Sequence, residues 1–410
     1  MREKQCRFCS NSLKHSFADL GLSPLANSYI KTENLQVKED FYPLHAYVCE
    51  SCFLVQLEEF EAPQNIFNEY TYFSSYAESW LKHARAYTRM AVSRFRLDRN
   101  SQVVEIASND GYLLQYFVEA DIPVLGIEPA ANVARAASEK GIPTLVNFFG
   151  RDTAARLSAE GRSADLLIGN NVLAHVPDLH DFVAGMKLVL KPKGIITMEF
   201  PHLLRLIQDN QFDTIYHEHF SYFSFGTVQK IFASQGLTLF DVEELPTHGG
   251  SLRIYACHTE DETKPETPNV KRLLELEDTA GLRQLQTYQV FSEKVRNTKC
   301  NILEFMIQAK REGKTIVGYG APAKGNTLLN YCGIRNDFVE YTVDRSPHKQ
   351  GMYLPGTRIP IAVPDKIRAT RPDYVIILPW NLKDEIMEQM AYIRDWGGKF
   401  VTLIPGVAVM

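Results

Sequence analysis

From Gln102 onward the chain alternates short apolar runs with amphipathic stretches, and this rhythm restricts the fold more than any other feature. VVEIAS, VLGIEP, PTLVNF, ADLLIGNNV and GIITMEF read as strands. GYLLQYFVEA, AANVARAASEKG, the segment 151–161 and DLHDFVAGMKLVLKPKG read as the helices between them. Strands apolar on both faces and joined by helices predict a doubly wound parallel α/β sheet. Mixed elements run on to His258, followed by the polar connector DETKPETPN and a long helical segment to about Gly313. A second alternation then begins at KTIVGYG and continues through EYTVDRS, DYVIIL and KFVTLIP, predicting another α/β body. Before the first body, Trp80, Ala84, Tyr87 and Ala91 recur at helical spacing.

Residues 1 to about 65 lack either rhythm and read as loop-like. Such a segment needs a staple in place of a core, and Cys6-x-x-Cys9 with Cys49-x-x-Cys52 offers one. Two such knuckles can present four thiolates tetrahedrally to Zn²⁺, and four sulfur ligands leave no open position, so the metal is expected to be structural. The other reading is unrelated thiols. Seven cysteines, an odd number, do not suggest a disulfide framework. The predicted organisation is a zinc-binding head over 1–68, a first α/β domain over 69–260 and a second over 261–410.

The 410 residues, 45% hydrophobic and 23% charged, exclude fibrous and disordered classes. Forty-four Lys and Arg against 49 Asp and Glu give a formal charge of −5, which offers no global attraction to nucleic acid or anionic membrane. The N-terminus shows no apolar signal region, and no run approaches the roughly 20 apolar residues of a membrane span. A cytoplasmic protein without nucleic-acid or membrane partners is expected, its oligomeric state unreadable from sequence.

VVEIASNDG, Val103 to Gly111, falls where the first strand turns into the first helix, the place at which an open α/β sheet binds its cofactor. Glu105, Ala107, Asn109 and Gly111 lie in this turn. Glu128 ends the second strand, where a carboxylate accepts hydrogen bonds from ribose hydroxyls, and Asn170 ends the strand of IGNNVLAH. Together they resemble the class I S-adenosylmethionine-dependent methyltransferase pattern, although Ala107 replaces the usual first glycine. Another nucleotide-binding α/β domain is the alternative. Further on, Tyr216-His-Glu-His-Phe-Ser-Tyr222 packs two imidazoles, a carboxylate and two phenols into seven residues, a density suited to proton transfer near neutral pH. Its H-E-H spacing is unlike a helical zinc-protease site, and the bland alternative is a polar turn.

The cysteine pairs, EYTYFSS, VVEIASNDGY, NNVLAHV, YHEHFSYFS, THGGSLR and GYGAPAKGNTLLNY, in that order and over nearly the whole chain, resemble the deoxysugar C-methyltransferases of nucleotide-sugar biosynthesis. The resemblance implies a zinc head, a central class I (Rossmann-type) methyltransferase domain and a C-terminal Rossmann-like domain that binds sugar nucleotide. It implies transfer of a methyl group from S-adenosylmethionine to C-3 of a nucleotide-diphosphate-linked 4-keto sugar. It makes His219 the match for the base, with Tyr70, His175, Tyr216 and Glu218 around the sugar and Tyr222 nearby.

Gly318-x-Gly320-x-x-Ala323, with Asp344 at the end of the next strand, also satisfies the G-x-G-x-x-G/A dinucleotide fingerprint. Three readings stay open for it: Gly320 and Lys324 gripping a sugar diphosphate, a dinucleotide site, or a tight turn without ligand. His248 and Arg253 of HGGSLR read either as a further substrate clamp or as a turn entering a strand. Two other functions therefore stand beside the methyltransferase: an NAD-dependent nucleotide-sugar oxidoreductase and a non-catalytic zinc-headed scaffold.

Overall fold

The computed structural model describes residues 4–62, 74–76 and 78–410. Tyr70 and most of EYTYFSS lie outside the described residues.

The segment expected to be loop-like is a sheet. Strands β1 (His15–Ser23), β2 (Tyr42–Val48) and β3 (Val55–Leu57) pair antiparallel. Two register shifts in β1 interrupt the alternation that would have betrayed it. Nor is the head coreless. Phe17, Ala18, Leu20, Leu44 and Ala46 are buried against the long helix Leu285–Arg311, whose Phe291 stacks on Phe17 at a centroid distance of 4.5 Å. The head thus completes its core with apolar side chains from far down the chain.

The central domain contains β4 (Val103–Ile106), β5 (Val124–Ile127), β6 (Thr144–Leu145), β7 (Ala164–Asn170), β8 (Leu190–Pro201), β10 (Leu237–Leu245) and β11 (Ser251–His258), in the order β10-β11-β8-β7-β4-β5-β6. Strands β4 to β8 run parallel and β11 runs antiparallel to β8. PTLVNF contributes only a two-residue strand, and LKPKG extends β8 instead of ending a helix. The helix Glu78–Phe95 buries Ala84, Tyr87 and Ala91 as its spacing predicts.

One strand leaves this sheet. β9 (Ser221–Tyr222) pairs with β3, matching Tyr222 to Val55, and so becomes the fourth strand of the head. The C-terminal body has the order β14-β13-β12-β15-β16-β17, from β12 (Ile316–Tyr319), β13 (Thr342–Val343), β14 (Ile361–Ala362), β15 (Tyr374–Ile377), β16 (Lys399–Thr402) and β17 (Ala408–Val409). All but β17 are parallel. No described helix is long and apolar enough to cross a membrane.

Candidate active site

The cysteines meet as their spacing requires: one Sγ atom from each of Cys6, Cys9, Cys49 and Cys52 lies within 4.8 Å of the others. Each knuckle closes with a left-handed residue after its second cysteine, Ser10 at φ 60° and Phe53 at φ 63°. Gln56 Nε2 donates to Cys6 Sγ at 3.2 Å, a contact suited to a thiolate. This donor set fits tetrahedral Zn²⁺. The knuckle also braces the loop after β7. Arg7 donates to the Pro177 carbonyl at 3.0 Å, and the Phe8 carbonyl accepts from His180 Nε2 at 2.7 Å.

At the end of β4, Ala107 and Asn109 adopt left-handed backbone, φ 55° and 50°. Gly111, at φ 75°, leaves no room for a side chain, because a Cβ would lie 2.2 Å from Ile142 Cδ1. Glu128 holds the turn, accepting from the Asn109 N–H at 3.0 Å and the Ala130 N–H at 2.9 Å. Each carboxylate oxygen keeps a lone pair for a ribose hydroxyl. Burial raises the Glu128 pKa. Glu105 is fully buried, and burial, with Glu128 and Asp110 nearby, pushes its carboxyl well above the usual range. Both amide atoms of Asn170 are buried without a hydrogen bond among the described residues, as is Ser108 Oγ. Unmet polar groups beside an acidic strand end fit a nucleoside-bearing cofactor in this crevice.

The YHEHFSY segment is stitched from both sides. The Phe220 N–H donates to the Ala174 carbonyl at 2.7 Å, and the Phe220 carbonyl accepts from the Leu57 N–H at 3.0 Å. The helix that follows, Phe225–Ala233, is capped by Ser224, while the Glu277 carboxylate accepts from the Phe225 and Gly226 N–H groups. The two histidines separate as a result. His217 turns to the head, where Nε2 donates to the Pro43 carbonyl at 3.2 Å. His219 packs between Tyr216, at a centroid distance of 4.0 Å, and His175, at 4.8 Å. Tyr222 is 6.1 Å away, its phenol raised well above its ordinary pKa by burial.

His219 Nδ1 donates to the Thr214 carbonyl at 2.9 Å, because a carbonyl can only accept. The ring proton is thereby fixed on Nδ1 and the lone pair on Nε2. Enclosure, His175 and the Lys324 charge hold the imidazole well below its ordinary pKa, and burial lowers His175 to about 4. Both are neutral near pH 7. Glu218 faces the seam between the head and the C-terminal body: it accepts from Asn27 Nδ2 at 2.7 Å, and burial pushes it up to about 7.

Three families match along the chain: a zinc binding domain over residues 6–67, a methyltransferase domain over 80–242 and a C-methyltransferase C-terminal domain over 246–405. Over 401 residues the chain is 34% identical to the C-methyltransferase NovU of Streptomyces niveus, covering 98% of this chain and 95% of that protein. The chain belongs to the C-methyltransferase family. A 98-residue stretch is 26% identical to an uncharacterized methyltransferase of Mycobacterium leprae strain Br4923, covering 24% of this chain and 36% of that one. Among solved structures, the magnesium protoporphyrin IX methyltransferase of Synechocystis PCC 6803 with bound SAM is 14% identical with a TM-score of 0.34, covering 43% and 79% of the two chains.

This C-methyltransferase, dependent on S-adenosylmethionine, uses its second α/β body differently from the fingerprint's suggestion. The Gly320 N–H donates to the Val343 carbonyl at 2.6 Å, and the Ala321 N–H to Asp344 Oδ2 at 2.7 Å. Pro322 has no N–H, and the Ala321 carbonyl accepts from Tyr29 Oη and Lys349 Nζ. The Gly320 and Ala321 N–H groups are thus spent internally, which corrects Gly320 from a ligand contact to a tight-turn residue, while no side chain caps the helix Ala323–Cys332 that follows. Lys324 does reach the site. Its Nζ donates to Asn381 Oδ1 at 2.8 Å, lies 4.5 Å from the Trp380 ring centroid and influences His219 and His248 electrostatically.

Arg253 is likewise corrected. On β11, it ion-pairs with Glu199 and Glu243 and sits over Tyr87, with its side chain 6% exposed, so HGGSLR is there a turn entering a strand. His248 stays with the site, its Nε2 3.3 Å from Asn171 Nδ2. Sequence reasoning missed Asn27 and also Asp213, which accepts from Trp380 Nε1 at 2.7 Å. An isolated Asn or Asp in an irregular segment carries no local signal of such distant partners.

Proposed function

We propose that this C-methyltransferase transfers a methyl group to C-3 of a nucleotide-linked 4-keto-deoxysugar, with His219 as the base that forms the enolate. The observation that carries this reading is the fixed neutral tautomer of His219, whose Nε2 lone pair is kept free of protons at neutral pH. A carbon beside a ketone becomes nucleophilic only after losing its proton, and a neutral imidazole is suited to take it. Tyr216 and His175 pack the ring in one orientation, and the Thr214 carbonyl steadies the imidazolium that forms. Glu218, with Tyr216, orients the sugar from the ketone side. Lys324 supplies positive charge for the anionic nucleotide portion, consistent with the family resemblance. Glu128, Asn170 and the turn from Ala107 to Gly111 hold the cofactor. When bound, S-adenosylmethionine supplies an electrophilic methyl group. Entry of that group opposite the departing proton inverts C-3. The zinc held by the four cysteines is structural: it holds the head, which carries β9 and with it the YHEHFSY segment.

The test is deuterium exchange in heavy water with S-adenosylhomocysteine bound and nucleoside-diphosphate 4-keto-deoxyhexoses as probes, read by mass spectrometry. Wild-type protein is expected to wash deuterium into C-3. His219→Asn is expected to lose roughly a hundred- to ten-thousandfold in exchange and methylation while still binding both ligands. Exchange at the wild-type rate in that variant removes His219 from the role and turns attention to His175.

A further inference from the structure

A second imidazole, that of His248, lies close enough to His219 to act on it electrostatically. Asn171, directly after β7, and His248, in the short turn Thr247–Gly249, both adopt left-handed backbone, at φ 54° and 55°. Such conformations are sparsely populated by residues other than glycine and gather at functional sites. The two strained residues meet each other. Asn171 Nδ2 lies 3.3 Å from His248 Nε2, and an amide nitrogen can only donate, so Nε2 accepts and the ring proton sits on Nδ1. The ring meets Trp80 in a T-shaped contact, with centroids 5.1 Å apart. Burial and the Lys324 charge lower its pKa to about 4, so the imidazole is neutral.

The polarity is opposite to that of His219, which bears its proton on the nitrogen turned to Thr214 and its lone pair on the other. His248 turns its lone pair to Asn171 and keeps its N–H for something else. One neutral imidazole is arranged to take a proton and the other to give a hydrogen bond. A base alone leaves the enolate oxygen uncompensated, and a preorganised donor aimed at developing charge is among the larger contributions to catalysis.

We infer that His248, held by Asn171 in its Nδ1–H tautomer, is the hydrogen-bond donor to the substrate oxygen on which negative charge develops, and that Asn171 is its positioning residue. This rests on the base assignment above. As the C–H bond breaks, the proton goes to His219 Nε2, its electron pair forms the C=C bond and the carbonyl π pair moves to oxygen. His248 stabilises that oxygen without giving up its proton. When carbon attacks the methyl group, the C=O bond re-forms, the C–S bond breaks with its pair on sulfur, and the proton leaves His219 to solvent.

Two measurements test this. Nitrogen-resolved NMR of protein labelled in histidine, with the His248 signal assigned by its loss in His248→Asn, is expected to show protonation at Nδ1 and a bare Nε2. A bare Nδ1 overturns the proposal and needs no substrate. The second measures deuterium exchange and methylation of thymidine-diphosphate 4-keto-6-deoxyglucose in His248→Asn and His248→Gly. Both replacements tolerate left-handed backbone, but only the Asn amide places an N–H where Nδ1 was. His248→Gly is expected to lose about a hundred- to a thousandfold in rate with KM little changed, and His248→Asn to stay within about tenfold of wild type. Asn171→Gly, which keeps the backbone and frees the ring, is expected to lose about tenfold and to show mixed tautomers. Equal rates in the Asn and Gly variants overturn the donor role. The base assignment fails separately, through unchanged exchange in His219→Asn. If wild type leaves this sugar untouched, the substrate reading fails for it and the NMR result decides the tautomer.

Discussion

The two α/β bodies place the same kind of turn after their first strand and use it in opposite ways. In the central body, Ala107, Asn109 and Gly111 bend around an acidic strand end, and the nearby Asn170 amide has no internal partner among the described residues. In the C-terminal body, Asp344 reaches back to the Ala321 and Ser346 N–H groups, Thr342 donates to the Gly320 carbonyl at 2.7 Å, and Tyr29 of the head caps Ala321. The first turn leaves polar groups for a ligand. The second turns its Gly320 and Ala321 N–H groups inward and becomes a joint between head and body. A glycine fingerprint specifies a backbone path, and the hydrogen bonds around that path decide whether a ligand can use it.

The largest expected effect comes from adding one methyl group to the closed turn. Gly320 has φ 89°, and a Cβ there would lie 2.5 Å from the Pro379 ring, which cannot yield as a flexible side chain would. Gly320→Ala should cost roughly 2–5 kcal/mol of stability, from backbone strain and overpacking together, while S-adenosylmethionine affinity per folded molecule is unchanged. Urea unfolding with calorimetric titration checks both halves, and a selective loss of cofactor affinity would break the contrast. In the open turn, Glu128→Ala should strand the Asn109 and Ala130 N–H groups at a cost of about 1–3 kcal/mol of stability, and unlike Gly320→Ala it should also reach the cofactor. It should weaken cofactor binding by about 1.5–3 kcal/mol, the scale of a hydrogen bond to a charged group, read by titration. Asp344→Ala should lower stability by about 1–3 kcal/mol by stranding two N–H groups, with no nicotinamide-dinucleotide-induced rise in melting temperature in either variant or wild type.

A pH dependence belongs to the central body. His175 and His248 each fall from 6.5 unfolded to about 4 folded. Between those values the unfolded chain binds more protons, so stability rises with pH. Their contribution is complete above about pH 6.5 and is lost as pH falls towards 4. Glu218, pushed up to about 7, acts with the opposite sign in this window, so the check is a difference: the urea midpoint of His175→Gln relative to wild type should rise as pH falls from 6.5 to 4.

Much of the site was legible in the chain because its groups are close in sequence. The cysteine knuckles, the Val103–Gly111 turn and the YHEHFSY run each announce themselves locally. The head was misread for an equally physical reason: its first strand carries two register shifts, and its core is completed by the helix Leu285–Arg311. Arg253 looked available because a strand sequence does not show that Glu199 and Glu243 flank it.

Sequence by itself determined the two α/β bodies, since alternating apolar and amphipathic segments have few ways to bury their faces. It also determined the thiol set and the supply of histidines. Tertiary structure decided which atoms of those histidines are free. The Thr214 carbonyl lies five residues before His219, but Asn171 lies 77 residues before His248, and Asn27 lies 191 before Glu218. Tautomer and charge follow from such contacts, which the folding of the central domain makes for both histidines and the packing of the head against it makes for Glu218.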